Sequence, residues 1–218
     1  MAGKKNCILC GSKTKEIRVK KLGRYHVCSC CDFISKDKKN YLTLEEEKAR
    51  YDRHNNSFKD PDYIAYFNDF LDKAVFPFVK GREGLDFGSG PVPVLGKILS
   101  EDYGYDMDLY DLNYAPEKVY QGKKYDLITS TEVVEHLSDP MEVFKLFQSL
   151  LKKDGILAIM TTFHDGNLKD FKEWYYIRDR SHKSFYTLKT LEYIGNQVGL
   201  EVIYSDGERY TSFSLREG

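Results

Sequence analysis

Leu85-Asp86-Phe87-Gly88-Ser89-Gly90-Pro91 places an acidic residue and a Gly-x-Gly turn directly after an apolar run. Prolines and a helical pattern of apolar residues follow. This order predicts a strand that stops, turns sharply and leads into the N-terminus of a helix. Glycine allows positive φ angles and a close approach of the backbone to a ligand, and the first helical turn offers unpaired N–H groups. The stretch therefore predicts a ligand-binding turn.

Asp86 stands two residues before the first glycine of this turn. A dinucleotide-binding turn meets a pyrophosphate, which a carboxylate would repel. A carboxylate suits a ligand with a cationic or hydroxyl-bearing end. S-adenosylmethionine is such a ligand, because it has an ammonium group, a sulfonium and no phosphate.

Two further strands end in residues that suit such a ligand. Tyr105–Tyr110 reads as a strand that ends at Asp111, about 20 positions past the turn, where a carboxylate can bind ribose hydroxyls. The alternative for Asp111 is a simple turn residue. Tyr125–Thr131 reads as a third strand that runs into Glu132 and Val133, at the edge where open α/β sheets bind ligands.

The remaining chain continues the alternation of helices and strands. A helix opens at Pro140, and Ile156–Thr162 has the nearly unbroken apolar character of a buried parallel strand. Leu188–Val198 predicts an amphipathic helix, closed by the glycine that follows it. Leu200–Tyr204 and Tyr210–Leu215 predict an antiparallel hairpin at a sheet edge.

The N-terminal part contains two CxxC pairs, Cys7/Cys10 and Cys28/Cys31, separated by 17 residues. Four thiolates at this spacing can surround Zn²⁺ tetrahedrally, which predicts a structural zinc ribbon with no open position for catalysis. Cys30 is an alternative ligand, although the two-residue spacer favours Cys28 with Cys31. A metal-free, redox-sensing set of cysteines is the second interpretation.

The 218 residues are enough for one good-sized domain and a small one. We expect a zinc ribbon over 1–40, a helical connector over 41–83 and a cofactor-binding domain over 84–218. The sequence contains no run of 18 apolar residues, so we expect no membrane span. Together with the cysteine usage and the lack of an apolar N-terminal signal, this favours the cytoplasm.

Charge is distributed unevenly along the chain. Residues 1–40 hold eleven Lys and Arg against three Asp and Glu, whereas the whole chain carries a net charge of −1. A basic module on an acidic body fits an anionic partner such as RNA. The alternative is a solvated surface on a small domain.

Taken together, the motifs resemble those of the class I S-adenosylmethionine-dependent methyltransferases. The motifs are LDFGSGP at 85–91, the acid at 111, YDLITSTEVVEHLSDP at 125–140 and LLKKDGILAIMT at 150–161. The resemblance implies an α/β fold with a Rossmann-like methyltransferase sheet. It implies S-adenosylmethionine bound by Asp86, Phe87, Gly88, Ser89, Gly90, Asp111, Leu112, Glu132 and Val133.

More narrowly, the chain is similar to bacterial zinc-ribbon methyltransferase-domain proteins of undefined substrate. They carry a segment like Arg50-Tyr51…His54-x-Asn56 and a late segment like that from Trp174 to Tyr186. One departure is the connection between Asp111 and Tyr125, which has 13 residues, whereas a βαβ crossover needs roughly 30 or more. We therefore expect a sheet that lacks one edge strand, with the connector or the zinc ribbon covering that edge.

Candidate acceptor residues follow the later strands. His182 is the preferred general base, because Asp179 lies three residues away and can orient its ring. His136 is a second candidate. The alternative is that both histidines are structural.

Aromatic residues in the late segment predict the walls of an acceptor pocket, namely Trp174, Tyr175 and Tyr176. His54 and Asn56 are placed at its mouth, or else belong to a loop between helices.

We therefore expect a methyltransferase that uses S-adenosylmethionine, with a small-molecule acceptor favoured over RNA. One alternative is a zinc-ribbon nucleic-acid-binding module with an inactive or sensory cofactor domain. An NAD-dependent dehydrogenase is a weaker alternative, because Pro93 stands where the dinucleotide fingerprint has a third Gly or Ala.

Overall fold

The computed structural model describes residues 5–52 and 57–216. His54 and Asn56, the predicted mouth of the pocket, lie outside the described residues. The strands are β1 (Lys15–Val19), β2 (Gly23–Val27), β3 (Ile34–Lys36), β4 (Glu83–Phe87), β5 (Asp106–Tyr110), β6 (Tyr125–Thr131), β7 (Leu151–Met160), β8 (Ser184–Phe185), β9 (Leu200–Ser205) and β10 (Tyr210–Leu215). The α-helices are α1 (Leu44–Tyr51), α2 (Pro61–Phe70), α3 (Val94–Glu101), α4 (Pro140–Leu150), α5 (Leu168–Glu173) and α6 (Leu188–Val198). Short 3₁₀ turns cover Lys38–Asn40, Val134–His136 and Tyr176–Arg178, and a π-helical turn covers Leu71–Val75.

A six-stranded sheet in the order β5-β4-β6-β7-β10-β9 forms the centre of the molecule. Strands β5, β4, β6 and β7 are parallel, and β10 and β9 complete the sheet as an antiparallel hairpin. The expected α/β fold is confirmed, and so is the missing edge strand, because β5 ends the sheet on its side. The parallel strands bring the ends of β4, β5 and β6 to one edge.

The connector or the zinc ribbon was expected to cover the free edge at β5, and of these two the zinc ribbon does not do so. Residues 106–109 of β5 are exposed or half-buried, and the ribbon pairs elsewhere through β3 and β8. The short connection after Asp111 leaves an open cleft of about 630 Å³ whose wall includes Phe87, Tyr110 and Tyr120.

The strand predicted at Ile156–Thr162 begins earlier, at Leu151, directly after α4. Asp154 and Gly155 lie inside β7, because Leu151 already pairs with Tyr125 and the register shifts before Ile156. A Cβ on Gly155 would lie 2.5 Å from the carbonyl oxygen of Tyr125, so the close approach of the two strands requires glycine there.

The connector packs on one face of the sheet. Thr43 and Glu46 form the predicted capping box of α1, and Asp60 caps α2 with Pro61 in its first turn. The helix that begins at Pro61 changes to a π-helical turn at Leu71 and ends before Pro77. Phe76 before the proline still has helical backbone angles, and Pro77 has no N–H group with which to continue the helical hydrogen bonds. The buried side of the connector packs with α3 and the sheet through Phe67, Phe70, Leu71, Ala74 and Val75.

The ribbon forms a second sheet in the order β1-β2-β3-β8. Strand β8 comes from the C-terminal part of the chain, so a sequence boundary at residue 40 does not coincide with the edge of this sheet. Tyr25 packs edge-to-face on Phe171 and Phe185 across the junction. His164 Nε2 lies 2.9 Å from the carbonyl oxygen of Asp32, which adds a polar link. The ribbon and the larger sheet are therefore joined by strand pairing as well as by side chains.

The C-terminal helix and hairpin agree with the sequence pattern. Helix α6 ends at Val198, and Gly199 takes a left-handed conformation with φ of 78°. In the part of the chain that the structure describes, no helix has the length and apolar character needed to cross a membrane.

Candidate functional site

The glycine turn connects the end of β4 to α3. Gly88 has φ of 90° and Gly90 has φ of 68°, a region that other residues rarely adopt. A Cβ on Gly88 would lie 2.2 Å from Cγ2 of Val133, so the loop after β6 packs directly on the turn. The two predicted cofactor-binding segments, 85–91 and 132–133, are thus in contact.

The N–H groups of this turn are used within the protein. Gly88 and Ser89 both donate to the carbonyl oxygen of Tyr110, at 2.7 and 3.1 Å. Gly90 donates to Oδ2 of Asp111 at 3.0 Å. A pyrophosphate needs such N–H groups as donors, so this turn suits a ligand without phosphate at that point. These three N–H groups are therefore not free to bind a pyrophosphate.

Asp86 lies beneath the turn and is only 2% exposed. Its Oδ1 accepts a 2.9 Å hydrogen bond from Oγ1 of Thr129, and the backbone of Gly96 also hydrogen-bonds its carboxylate. Burial raises the pKa of Asp86 to about 6. The side chain therefore joins β4, β6 and α3, while its contact with the methionine end of the cofactor stays a prediction.

Asp111 organises the turn after β5. Its Oδ1 accepts hydrogen bonds from the N–H groups of Asn113 and Tyr114, and its Oδ2 accepts from Gly90. Asp111 therefore stabilises the turn, as in the alternative interpretation, and its binding of ribose stays a prediction. Leu112 is 68% exposed beside it. Phe87, in contrast, is buried and packs on Tyr110 and Phe147.

Glu132 is held in an unusual backbone conformation with φ of 54°. Such strain persists where surrounding contacts fix it, and it is common at functional sites. The hydroxyl of Tyr66, from α2, donates to Oε1 at 2.9 Å, and that of Tyr176 lies 3.2 Å from Oε2. Glu132 therefore joins the end of β6 to the connector and to the late aromatic segment.

Glu135 lies next to this group and is fully buried. Its Oε1 accepts from the Tyr176 hydroxyl at 2.7 Å and its Oε2 from the Thr161 hydroxyl at 2.9 Å. Burial raises the pKa of Glu135 well above its ordinary value, and the charge of Glu132 adds to the shift. The two carboxyl groups share the Tyr176 hydroxyl.

His182 is 7% exposed and lies among aromatic rings. Its ring centroid is 4.2 Å from that of Tyr176 and 4.7 Å from that of His136. Burial lowers the pKa of His182 to about 4, although the charge of Asp179 opposes the shift. Within residues 5–52 and 57–216, its Nδ1 is buried and has no hydrogen-bond partner.

His136 shares this environment with His182. Burial lowers the pKa of His136 to about 3, and its Nε2 lies 4.0 Å from Oε1 of Glu135. Both predicted histidines are therefore neutral near pH 7. The structure brings them together, although they lie 46 positions apart in the chain.

Asp179 holds the loop that carries His182 rather than the imidazole itself. Its Oδ1 accepts from Nε of Arg50 at 3.1 Å and from the N–H of Ser181 at 2.8 Å. Burial opposes ionisation, but the hydrogen bonds from Ser181 and Arg50 hold the pKa of Asp179 well below its usual range. Asp179 acts on His182 through the backbone of this loop and through its charge.

The three predicted aromatic walls differ in position. Tyr176 is buried between Glu135 and His182, as described above. Trp174 is half-buried and lies 4.9 Å from the Tyr176 ring. Tyr175 is 63% exposed. Of the three, Tyr176 is the one within the polar cluster.

The four cysteines of the two CxxC pairs converge. Sγ of Cys7 lies 3.7 Å from Sγ of Cys31, and Sγ of Cys10 lies 3.4 Å from Sγ of Cys28. Tetrahedral zinc with Zn–S bonds of about 2.3 Å requires sulfur–sulfur distances of about 3.8 Å. The positions of the four sulfur atoms therefore fit a zinc ion. Cys30 is exposed and does not belong to this group of four.

Sequence reasoning missed the polar partners that surround these residues. Tyr66 lies on the apolar side of α2, and its hydroxyl distinguishes it from the neighbouring Phe67. Glu135 was seen as part of a motif without a role. The signals were a tyrosine at the helical spacing of an apolar stripe and a second glutamate three positions after Glu132.

Comparison with known proteins places this geometry in a family. Residues 53–205 match the sequence profile of the methyltransferase domain family, which covers more than half of the chain. The chain belongs to the methyltransferase domain family. This confirms the expectation that the protein is a class I S-adenosylmethionine-dependent methyltransferase, in both family and fold.

Curated relatives of this methyltransferase-domain protein include ubiquinone biosynthesis O-methyltransferases. The chain is 28% identical over 141 residues to that of Dinoroseobacter shibae, covering 60% of this chain and 55% of the relative. The chain is 34% identical over 78 residues to the ubiquinone biosynthesis O-methyltransferase of a Ruegeria species. This match covers 36% of this chain and 31% of the relative. The matched part thus spans about half the length of these relatives or less.

Solved structures share the fold at low sequence identity. The mitomycin 7-O-methyltransferase MmcR aligns with a TM-score of 0.55 at 11% identity, covering 78% of this chain and 67% of that chain. CalO1, a methyltransferase in calicheamicin biosynthesis, aligns in its SAH-bound form with a TM-score of 0.52 at 13% identity. The alignment covers 70% of this chain and 54% of that chain. These similarities give no support to the dehydrogenase alternative.

Proposed function

We propose that this protein methylates a hydroxyl oxygen of a small organic acceptor, with S-adenosylmethionine as the methyl donor. The observation that carries the proposal is the contact between the glycine turn and the loop after β6, which places Val133 on Gly88 and Glu132 beside it. The O-methyltransferase names of the curated relatives support the choice of oxygen.

The residues that we assign to the cofactor surround this contact. Gly88, Ser89 and Gly90 supply a backbone surface without side-chain bulk, and Asp86 fixes the shape of that surface from below. Asp111, Leu112 and Glu132 lie at its rim. When bound, S-adenosylmethionine supplies a methyl group on a positively charged sulfur, and the carboxylates of Glu132 and Asp111 favour a cation in this region.

His182 is the group that we assign to the acceptor. Its Nδ1 is buried without a partner among the described residues, and in the neutral tautomer with the proton on Nε2 this atom carries the lone pair. A buried acceptor atom without a donor is costly, and an acceptor hydroxyl that donates to Nδ1 removes this cost. The neutral imidazole can then take the hydroxyl proton as the oxygen becomes nucleophilic. His136 and Tyr176 position the ring.

The zinc ribbon has a structural role in this proposal. Four thiolates leave no coordination position for a substrate, and β3 of the ribbon pairs with β8, which follows His182 by two residues. We assign zinc to Cys7, Cys10, Cys28 and Cys31, and we place the protein in the cytoplasm, where thiols stay reduced.

Calorimetric titration tests the cofactor assignment. We expect S-adenosylhomocysteine to bind with 1:1 stoichiometry and NAD not to bind. His182→Gln is expected to keep S-adenosylhomocysteine binding within about twofold while methyl transfer falls by about a hundredfold or more, which is the usual size of a general-base contribution. Binding of NAD instead, or full turnover in the variant, would overturn the cofactor or the base assignment respectively.

A further inference from the structure

A basic cleft of about 670 Å³ lies at the junction of the ribbon and the late loop. Its size is within the range of small-molecule sites. Its charged lining residues are all cations and include no carboxylate: they are Arg18, Lys20, Lys21, Lys39 and Arg180. The cleft is distinct from the glycine turn, because none of residues 85–91 lines it.

The cations of the cleft are not neutralised by the protein. In the described part of the chain, none of the five forms an ion pair with a carboxylate. Arg18 moreover lies directly opposite Arg24 in the β1–β2 pairing. Arg24 is paired with Glu16 at 3.7 Å, whereas Arg18 has no carboxylate partner in the described part of the chain, so the cleft side of the hairpin keeps an unpaired positive charge.

The cleft is connected to His182 through a short, well-anchored loop. Arg180 precedes His182 by two residues, so their Cα atoms are within about 7 Å of each other. Nζ of Lys36 donates to the carbonyl oxygen of Arg180. Nε of Arg50 donates to the carboxylate of Asp179, the residue before Arg180. The loop that carries the assigned base thus also supplies one cation of the cleft.

We propose that this cleft binds a phosphate or diphosphate group of the methyl acceptor. The inference rests on the proposed function and narrows it, because it assigns the acceptor to phosphorylated small molecules. Phosphate contacts at Arg18, Lys21 and Arg180 hold one end of the acceptor, and the hydroxyl to be methylated lies at the other end near His182. The hairpin of the ribbon is then one wall of the acceptor site.

Inorganic pyrophosphate is the probe for this cleft, measured by calorimetry with the full chain. We expect pyrophosphate to bind both alone and in the presence of saturating S-adenosylhomocysteine. The double variant Arg18→Glu/Arg180→Glu is expected to weaken its binding by about tenfold or more, because two attractive charges become repulsive. Lys145→Glu/Lys153→Glu is the matched control, since both lysines are exposed and lie outside the cleft, and it should stay within about twofold.

Three results would overturn the proposal. The first is that pyrophosphate does not bind at millimolar concentration, and the second is that it competes with S-adenosylhomocysteine. The third is that a 20-nucleotide RNA binds tightly and the cleft variant abolishes this RNA binding but leaves pyrophosphate binding unchanged. The circular dichroism spectrum and S-adenosylhomocysteine binding of each variant show whether it is folded. Failure of S-adenosylhomocysteine to bind the wild-type protein contradicts the proposed function, whereas loss of pyrophosphate binding alone contradicts this inference.

Discussion

The hydroxyl of Tyr66 donates a 2.9 Å hydrogen bond to Oε1 of Glu132 and so joins the connector to the end of β6. Glu132 also packs beside the glycine turn through its neighbour Val133. A helix outside the central sheet therefore fixes a carboxylate at the assigned cofactor site.

Tyr66→Phe removes the hydrogen bond to Glu132 and keeps the ring. The loss of one bond to a partly exposed carboxylate is worth about 1 kcal/mol, so S-adenosylhomocysteine should bind about fivefold more weakly. Calorimetry measures the dissociation constant. Tyr103→Phe is the control, because Tyr103 is an exposed tyrosine that packs on Phe76 and is not one of the residues assigned to the cofactor. Equal effects of the two variants would contradict the role of Tyr66.

His182→Gln should change how stability depends on pH. Because burial lowers the folded-state pKa of His182 to about 4, the unfolded chain binds more protons than the folded chain between pH 6.5 and pH 4. The contribution of His182 to stability is therefore full above pH 6.5 and decreases as the pH falls towards 4. Over that range, the free energy of unfolding of the wild type should decrease by about 1–3 kcal/mol more than that of the variant.

Urea denaturation of both proteins from pH 4 to pH 7.5 measures this difference. The comparison with the variant is necessary because Asp86 and Glu135, whose pKa values are raised, change stability in the opposite direction. Parallel curves for the two proteins would show that His182 is not held neutral by burial.

Cys10→Ser should remove the zinc ion, because it leaves three thiolates in the group. Cys30→Ser is the matched control: its side chain is exposed, and it should retain one zinc per chain. Elemental analysis of the purified proteins gives the stoichiometry. Loss of zinc from the Cys30 variant, with retention in the Cys10 variant, would contradict the assigned ligand set.

Arg50→Gln should loosen the loop that carries His182. The variant removes the ion pair with Asp179, whose carboxylate also binds Ser181, so amide hydrogens of residues 179–184 should exchange at least about threefold faster. Arg178→Gln is the control, since Arg178 is exposed on the preceding turn and has no ion pair among the described residues. Unchanged exchange in the Arg50 variant would argue against this anchoring role.

Local sequence patterns predicted much of the fold because the elements obey local rules. The capping box at Thr43 and Glu46, the glycine after Val198 and the apolar run that becomes β7 each depend on a few neighbouring residues. The short connection between Asp111 and Tyr125 was equally informative. A chain of that length cannot form another strand with its helices, and the sheet indeed ends at β5.

Contacts between distant segments were not predictable in the same way. The pairing of Ile34 with Phe185 joins positions 151 residues apart and makes the ribbon part of the acceptor side. No periodicity in either segment indicates that partner. Similarly, Asp179 was expected to orient the ring of His182, whereas its carboxylate binds Arg50 from the connector. The partner of a buried polar group depends on packing that a single sequence does not encode locally.

The central claim is tested most directly by incubating a metabolite extract with the protein and S-adenosylmethionine labelled in its methyl group, followed by mass spectrometry. We expect label in an O-methylated, phosphorylated small molecule with the wild type, and about a hundredfold less with His182→Gln. Label that appears in RNA, or equal labelling by the two proteins, would contradict the account.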